Sequence, residues 1–292
     1  MALILDSALP TGHKLRQEGL TVYSPSDGHA ADLRIGIVNL MPIKEDAEAD
    51  FMRLLGSTEL TVEPVLIHMT SHRSRNTDAG HIARFYTGYR QAFARGLDGI
   101  IITGAPLERV FFTDVDYWRE ICEVFDEIRR RRLPSLNVCW GAYAWMFYYF
   151  GVEFEILERK ISGVFSHRIE RPEDPLMAGV EDGFYVPHSR FSQWDPEQVD
   201  LLEDVDIIAR SDQEAGIYLL RHSQHPEYSF VGHGEYSTMT LDSEYHRDLG
   251  RGMNPHIPTD YYPYDDPARQ PVNRWSETAR RIYRNWLGSL RD

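Results

Sequence analysis

The segment 133–149, LPSLNVCWGAYAWMFYY, constrains the fold more than any other part of this chain. A short apolar stretch ends on Cys139 and passes without a linker into a second apolar stretch that is long enough for a helix. A strand that turns directly into a helix is typical of an α/β fold, and it exposes the residue at the turn above the sheet. The positive end of the new helix favours a thiolate there, and the next amide is free to bind an oxyanion. The segment therefore predicts a nucleophilic cysteine at the edge of a sheet.

The glycine that follows Trp140 supports this interpretation. A cysteine after an apolar strand is most often a small buried side chain without a chemical role. Gly141, however, lowers helix propensity at the start of the helix, and its use is to let another stretch of backbone approach closely. We expect such an approach beside Cys139.

A second apolar stretch, 229–236 with the letters SFVGHGEY, supplies the partners of a nucleophile. It ends on His233, and Glu235 follows two positions later. Cys139, His233 and Glu235 are the residue types of a nucleophile, a general base and the carboxylate that orients the base. The three residues together predict acyl-transfer chemistry.

A similar pair, His225 and Glu227, lies only eight positions earlier in the chain. This pair precedes its strand instead of following it, and ligands of α/β sheets bind at the carboxyl ends of strands. We therefore favour the later pair, and we interpret His222 and His225 as residues of a solvated turn. Nothing nearby completes the three or four ligands of a zinc site, so no metal is expected.

Composition narrows the class of partner. The 292 residues carry a formal net charge of -14 with no acidic tail. Nucleic acids and anionic membranes require a basic face, so neither is an expected partner, and small molecules are the expected ligands. No stretch of the sequence is apolar enough to span a membrane, and residues 1–6 do not resemble a signal peptide. Only two cysteines are present, and Cys122 falls on the apolar side of a helical pattern, which indicates a reducing compartment, the cytoplasm.

The rest of the chain alternates between strand and helix patterns. This alternation predicts an α/β fold with a doubly wound, mostly parallel sheet. We treat 1–292 as a single domain, with an N-terminal extension over about 1–32 and a helical closure over about 238–292. The predicted strands are 33–41, 60–67, 97–103, 133–139, 205–209, 216–220 and 228–232, with short extended pieces over 152–169. The predicted helices are 46–55, 79–94, 116–132, 238–250 and 275–290, together with the one that follows Cys139.

Short motifs along almost the whole chain resemble one known family. From about residue 10 to residue 288 the sequence resembles the homoserine O-acyltransferases of the homoserine O-succinyltransferase type. The resemblance implies a flavodoxin-like fold similar to class I glutamine amidotransferases. It also implies transfer of an acyl group from coenzyme A to the hydroxyl of homoserine, through an acyl-cysteine, in methionine biosynthesis. The motifs are NLMPIK at 39–44, SRNT at 74–77, FY at 85–86, TGAP at 103–106, DYW at 116–118, CW at 139–140, KISGV at 160–164, PHSR at 187–190, GHGEY at 232–236 and YPYDDP at 262–267.

The resemblance also assigns roles to individual residues. Cys139 would be the nucleophile, His233 the general base and Glu235 its orienting partner. An acyl-CoA would be the co-substrate, with no permanently bound cofactor, and the enzyme would be a homodimer. The oxyanion donors would be the Trp140 amide and the Lys44 segment, and the acceptor amino acid would be held by Lys160, Ser189 and Arg247.

The acyl donor depends on Glu108. In the family a glycine at this position goes with succinyl-CoA and a glutamate with acetyl-CoA, and the physics agrees because a second carboxylate on the donor would face a like charge. We therefore expect acetyl-CoA, with succinyl-CoA as the alternative.

The identity of the acceptor and the class of reaction stay open at the level of the sequence. Gly141 and Gly234 stand where the family usually has alanine and proline, and a pocket reshaped by them could accept serine instead of homoserine. A glutamine amidotransferase or cysteine hydrolase would use the same three catalytic residue types, and a relative without activity would only bind metabolites.

Overall fold

The strands of the protein form a single twelve-stranded sheet in a computed structural model that describes residues 2–291. Helices cover both faces of this sheet. The strands are β1 (Ala2–Ile4), β2 (Val22–Tyr23), β3 (Leu33–Val38), β4 (Thr61–His68), β5 (Thr87–Gly88), β6 (Gly99–Ile102), β7 (Ser135–Val138), β8 (Glu155–Ile169), β9 (Phe184–Gln193), β10 (Val205–Arg210), β11 (Ile217–His222) and β12 (Glu227–Phe230). The helices are α1 (Pro10–Gln17), α2 (Lys44–Leu55), α3 (Ala79–Phe85), α4 (Tyr89–Arg95), α5 (Trp118–Arg131), α6 (Trp140–Phe150), α7 (Pro196–Asp200), α8 (Thr240–Gly250) and α9 (Ser276–Ser289).

The sheet has a parallel half and an antiparallel half. Its strand order is β2-β1-β4-β3-β6-β7-β12-β11-β10-β8-β9, with β5 beside β4. Pairing is parallel from β2 to β12 and antiparallel from β12 to β9. The five central strands β4-β3-β6-β7-β12 follow the doubly wound order 2-1-3-4-5. The predicted α/β class with a mostly parallel sheet is confirmed.

The central strands are buried on both faces because their apolar side chains alternate between two cores. Ile101 of β6 belongs to the core under α1, α2 and α9. Its neighbours Ile100 and Ile102 belong to the core under α4, α5 and α6. Successive side chains of a strand point to opposite faces, so an unbroken apolar run fills both cores at once. This is why the apolar stretches of the sequence predicted the central strands well.

Two elements differ from the sequence prediction. Residues 79–94 were expected to form one helix, but α3 and α4 are separated by β5. The break lies at Tyr86, whose buried hydroxyl donates to Glu48 at 2.7 Å and accepts from Asn39 Nδ2 at 2.9 Å. These contacts hold the chain extended and outweigh helix propensity.

Residues 152–169 were expected to form short pieces, yet β8 is a single strand of 15 residues. It is long because it pairs with β9, a strand that the sequence analysis missed. The region treated as an N-terminal extension, 1–32, also takes part in the fold. Within its described part, from residue 2 onward, β1 and β2 extend the parallel edge of the sheet.

None of the helices in residues 2–291 is both long enough and apolar enough to span a lipid bilayer.

The loop before α9 is attached to β8 by a close backbone contact, which gives a test of the fold. The amide of Val164 donates to Thr259 O at 2.8 Å, and the amide of Thr259 donates to Ser162 O at 2.9 Å. Gly163 lies between Ser162 and Val164 in β8, and a Cβ at this position would be 2.6 Å from Thr259 N. We expect Gly163→Ala to lower the free energy of unfolding by about 1–3 kcal/mol, because either β8 or the loop that carries Thr259 must move to make room for the new methyl group.

Urea unfolding measures this loss, with Gly250→Ala as the matched control. A Cβ at Gly250 would meet nothing within 4 Å, so this variant should stay within about 0.5 kcal/mol of the parent. Equal stability of the two variants would contradict the contact.

Candidate active site

Cys139 lies at the turn between β7 and α6 with an unusual backbone. Its φ of 52° and ψ of -113° are strained for a residue that has a side chain. The amide of Cys139 donates to Phe230 O at 2.6 Å, and its carbonyl accepts from Ala142 and Tyr143 at 2.9 and 3.1 Å. These bonds fix the sulfur at the carboxyl end of the central strand, as the sequence predicted.

The start of α6 leaves hydrogen-bond donors next to the sulfur. Within residues 2–291 the amides of Trp140 and Gly141 donate to no acceptor. The amides of Gly104 and Ala105, in the loop after β6, are also without an acceptor in that part of the chain. A Cβ at Gly104 would be 3.2 Å from Cys139 Cβ and 3.8 Å from its Sγ. Two backbone segments therefore flank the nucleophile with unused N–H groups.

Gly141 makes the close backbone approach that was expected of it. A Cβ here would be 2.9 Å from the Ile102 carbonyl oxygen and 3.1 Å from that of Thr103. Gly234 faces α9, where a Cβ would be 3.1 Å from Ala279 Cβ. At both glycines, neighbouring protein atoms take up the space that a Cβ would occupy, so neither glycine opens a cavity of its own. The choice between homoserine and serine stays a prediction from the sequence.

His233 reaches the sulfur from the loop after β12. Its amide donates to Pro187 O at 2.8 Å, which ties this loop to β9. The imidazole Nδ1 lies 2.6 Å from Glu235 Oε1, and the ring also interacts with the Cys139 side chain. The Cε1 atom lies 3.7 Å from the Cβ position of Gly104, next to the sulfur. The structure thus brings Cys139, His233 and Glu235 together in the predicted order.

The electrostatics of the buried imidazole favour its charged form. His233 is only 4% exposed, and burial by itself works against the imidazolium. The negative charges of Glu235 and Cys139 outweigh that cost and raise the pKa of His233 well above its usual value. Tyr236 stacks on the imidazole with 4.2 Å between ring centroids, which keeps water away from this face.

The earlier pair, His225 and Glu227, lies at the opposite end of β12 from His233, and there Glu227 makes structural contacts. Glu227 is buried and accepts from Trp145 Nε1 at 2.5 Å and from both Nε and Nη2 of Arg129 at 3.1 Å. His222 is 5% exposed, so its assignment to a solvated turn is wrong. The carboxyl end of β12, which leads to His233, is therefore the end that lies near Cys139.

Lys44 has partners other than the nucleophile. Its amide donates to Thr77 Oγ1 at 3.1 Å, and its ammonium donates to the carbonyls of Asn39 and Met41 at 2.6 and 3.4 Å. Burial lowers the pKa of this lysine to about 8. The Lys44 amide is therefore occupied, and an oxyanion role for the residue can rest only on the third ammonium hydrogen.

The residues expected to hold the acceptor gather around a carboxylate that the sequence analysis missed. Lys160 Nζ lies 3.0 Å from Glu244 Oε2, and Ser189 donates to the same oxygen. Tyr236 donates to the other oxygen, Oε1, at 3.0 Å. Burial by itself would raise the pKa of Glu244. The positive charge of Lys160 and the hydrogen bond from Ser189 outweigh this effect, so the pKa lies below its usual value. We call Lys160, Ser189, Tyr236 and Glu244 the acceptor cluster.

Arg247 lies at the rim of the acceptor cluster. It is half exposed, and its guanidinium pairs with Asp248, which also faces Lys160 at 3.5 Å. The sequence held one signal for the missed carboxylate. Glu244 precedes Arg247 by three positions on α8, so the two share a helix face.

Glu108 borders the same space from the loop after β6. Burial raises the pKa of its carboxyl, opposed by the positive charges of Lys160 and His233. Glu244 adds to the rise as a like charge. Glu108, the predicted specificity residue, thus interacts electrostatically with His233 and with the acceptor cluster.

No group of three or more His, Cys, Asp and Glu side chains within residues 2–291 is arranged to hold a metal ion.

Comparisons with known proteins agree with this geometry. A family model described as "Homoserine O-succinyltransferase" matches residues 2–290. The homoserine O-acetyltransferase of Brevibacillus brevis is 39% identical over 98% of this chain and 94% of its own length. That of Methanomethylophilus alvi is 40% identical over the same two shares.

Solved structures share the fold at low sequence identity. A glutamine amidotransferase from Thermotoga maritima matches with a TM-score of 0.60 and 11% identity, over 90% of this chain and 99% of that chain. Glutamine amido transferase from Methylobacillus flagellatus matches with a TM-score of 0.53 and 13% identity, over 89% and 95% of the two chains. These likenesses concern the arrangement of the sheet and its helices.

The charge of Glu235 gives a test of the site. We expect Glu235→Gln to lower the pKa of His233, because the carboxylate that stabilises the imidazolium is removed. Nuclear magnetic resonance of the imidazole nitrogens measures the titration. Glu277→Gln, which changes an 83% exposed carboxylate on α9, should leave the titration unchanged. An unaltered His233 titration in Glu235→Gln would contradict the role of this carboxylate.

Proposed function

The chain belongs to the homoserine O-succinyltransferase family, and on that premise we propose that it is an acyltransferase that moves an acetyl group from acetyl-CoA to the hydroxyl of L-homoserine, in methionine biosynthesis. The observation that carries the proposal is the convergence of Cys139, His233 and Glu235 at the carboxyl end of the sheet. His233 Nδ1 lies 2.6 Å from Glu235 Oε1, and both His233 Cε1 and Cys139 Sγ lie within 4 Å of the Cβ position of Gly104. Relatives named homoserine O-acetyltransferase that align over nearly the whole chain support the donor and the acceptor.

The first half-reaction forms an acyl-cysteine. His233 accepts the proton of the Cys139 thiol, and the sulfur attacks the thioester carbonyl of acetyl-CoA. The tetrahedral intermediate collapses with loss of the coenzyme A thiolate, which takes up the proton from His233. Glu235 holds the imidazole in orientation and stabilises its charge throughout.

The second half-reaction transfers the acetyl group. The hydroxyl of homoserine gives its proton to His233, and its oxygen attacks the acyl-cysteine carbonyl. The new ester leaves, and the sulfur regains its proton from His233. The kinetics are therefore ping-pong, with one nucleophile and one base serving both steps.

Backbone amides stabilise the negative oxygen in both steps. The unused amides of Trp140 and of the Gly104–Ala105 segment flank the sulfur from two sides. Loss of one such donor typically costs about 10²- to 10³-fold in rate. We assign the oxyanion site to these amides, with the Lys44 ammonium as a further donor.

The acceptor cluster binds the amino acid. Lys160 and Arg247 suit its carboxylate, and Glu244 suits its ammonium group. Ser189 then contributes a hydrogen bond to either end. The hydroxyl of the acceptor points from this cluster toward His233. Tyr236 links the two places, because its ring stacks on His233 and its hydroxyl donates to Glu244.

The reaction is proposed to take place in the cytoplasm, because two free cysteines fit a reducing compartment. The enzyme is proposed to be a homodimer on the family resemblance. No permanently bound cofactor is proposed, and acyl-CoA is a co-substrate. The amidotransferase likeness extends to the fold alone, and release of ammonia from glutamine would favour that rival activity over acyl transfer.

The acyl-cysteine is the first test of the proposal. Incubation with acetyl-CoA and no acceptor should add one acetyl group to the protein, seen by intact mass, with release of free coenzyme A thiol. Cys139→Ser should abolish the adduct and lower the transfer rate to homoserine by about 10³-fold or more. Cys122→Ser, at the half-buried second cysteine, is the matched control and should keep the adduct. An adduct that persists in Cys139→Ser would overturn the mechanism.

Donor choice is the second test. We expect Glu108→Gly to raise the ratio of kcat/KM for succinyl-CoA over acetyl-CoA by about 10-fold or more, because the like charge facing a succinyl carboxylate is removed. Glu59→Gly, at an exposed loop position, controls for the loss of one carboxylate. A ratio that does not move would show that Glu108 does not select the donor.

A further inference from the structure

A large cavity lies next to the candidate active site and shares Lys44 and Ala105 with it. It has a volume of about 1130 Å³ and is formed by the loops that follow β3, β4 and β6. β3 and β6 are the strands at which the order of the parallel sheet reverses, the place where α/β sheets bind ligands. Its inner wall includes Ala105, the residue after Gly104, which borders the Cys139 sulfur. The cavity lining is thus one residue away from Gly104, whose Cβ position lies 3.8 Å from Cys139 Sγ.

The cavity is positively charged although the protein is acidic. Four Lys or Arg side chains and two histidines line it, against two aspartates, on a chain with a net charge of -14. Arg73 and Arg75 are exposed in the loop after β4, and within residues 2–291 neither has a carboxylate within 4.0 Å. Arg90, by contrast, pairs with Glu123 at 2.6 Å. Two guanidinium groups at the mouth of the cavity are thus available to an anion.

The deeper wall combines apolar surface with an unsatisfied polar atom. Ile82, Tyr86 and Tyr117 line it. Tyr117 is 4% exposed, and its hydroxyl is buried without a hydrogen-bond partner in the described part of the chain. Buried polar groups are nearly always paired, so an unpaired one in a cavity wall indicates a missing ligand group or water. The cavity is thus suited to a molecule with an aromatic, hydrogen-bonding body and an anionic end.

We propose that this cavity binds the nucleotide end of coenzyme A, a 3′-phosphorylated adenosine diphosphate, with its phosphates on Arg73 and Arg75. The inference rests on the proposed function, which supplies an acyl-CoA donor. Guanidinium groups bind phosphate through two parallel charged hydrogen bonds, and the mixed wall receives the adenosine. The acyl end then passes Ala105 to reach Cys139.

The position also separates the two substrates. None of Lys160, Ser189, Glu244 and Arg247 lines the cavity. These residues come from β8, β9 and α8, whereas the cavity is built by the first half of the parallel sheet. The donor therefore enters on one side of Cys139 and the acceptor on the other.

The experiment compares Arg73→Ala/Arg75→Ala with the unmodified protein. Desulfo-coenzyme A and 3′,5′-ADP are the binding probes, measured by titration calorimetry, and acetyl-CoA and acetyl-pantetheine are the donors. We expect the Kd of desulfo-coenzyme A to rise about 10-fold or more. The kcat/KM ratio of acetyl-CoA over acetyl-pantetheine, which lacks the nucleotide, should fall by a similar factor.

The control is Arg130→Ala/Arg280→Ala, which removes two partly exposed arginines from α5 and α9 and so makes the same change in net charge. It should bind desulfo-coenzyme A as the unmodified protein does. If Arg73→Ala/Arg75→Ala keeps its affinity or its donor ratio, the inference is overturned while the acyltransferase stands. If the unmodified protein neither binds desulfo-coenzyme A nor transfers acetyl from acetyl-CoA, the proposed function fails and the inference with it.

Discussion

The backbone conformation of Cys139 is the constraint on which the active site depends. Its positive φ turns the chain from β7 into α6 within one residue, so that the sulfur and the first helical amides face the same space. Strain of this kind costs about 1–3 kcal/mol. The helix that follows offsets it, since Trp140 and Trp145 are at most 1% exposed and a buried tryptophan contributes about 4–6 kcal/mol. The aromatic sequence of α6 is thus what holds the nucleophile in a conformation that its own side chain disfavours.

β12 is the strand at which the parallel and antiparallel halves of the sheet meet. It runs parallel to β7 and antiparallel to β11, so the loop that carries His233 lies between the two halves. On the parallel side lie Cys139 and Glu108, and on the antiparallel side lie Lys160 and Ser189. Under the proposed mechanism, His233 would serve both half-reactions from this position without any movement of the sheet.

Sequence reasoning succeeded where a pattern is local and failed where distant contacts decide. The apolar runs of β3, β6 and β7 fill two cores, and this requirement is visible in the letters themselves. The division of the 79–94 segment is not visible, because it depends on the buried contact of Tyr86 with Glu48, 38 positions away. The length of β8 depends in the same way on β9. Cys139, His233 and Glu235 could be found because each follows a strand. For Glu244 the only signal was its spacing from Arg247 on α8, because its importance comes from Lys160, 84 positions away.

The polar side chains of the acceptor cluster are hydrogen-bonded to one another. Lys160 and Ser189 both use Glu244 as their partner, so an incoming molecule must exchange contacts and cannot simply add them. A zwitterion can replace both sides of the internal ion pair at the same moment. A molecule with one charge, or none, would leave a cation or a carboxylate stranded away from water, at a cost of several kcal/mol. Under the proposed function, the ion pair of Lys160 and Glu244 would favour whole amino acids over their amides, carboxyl esters and deaminated analogues.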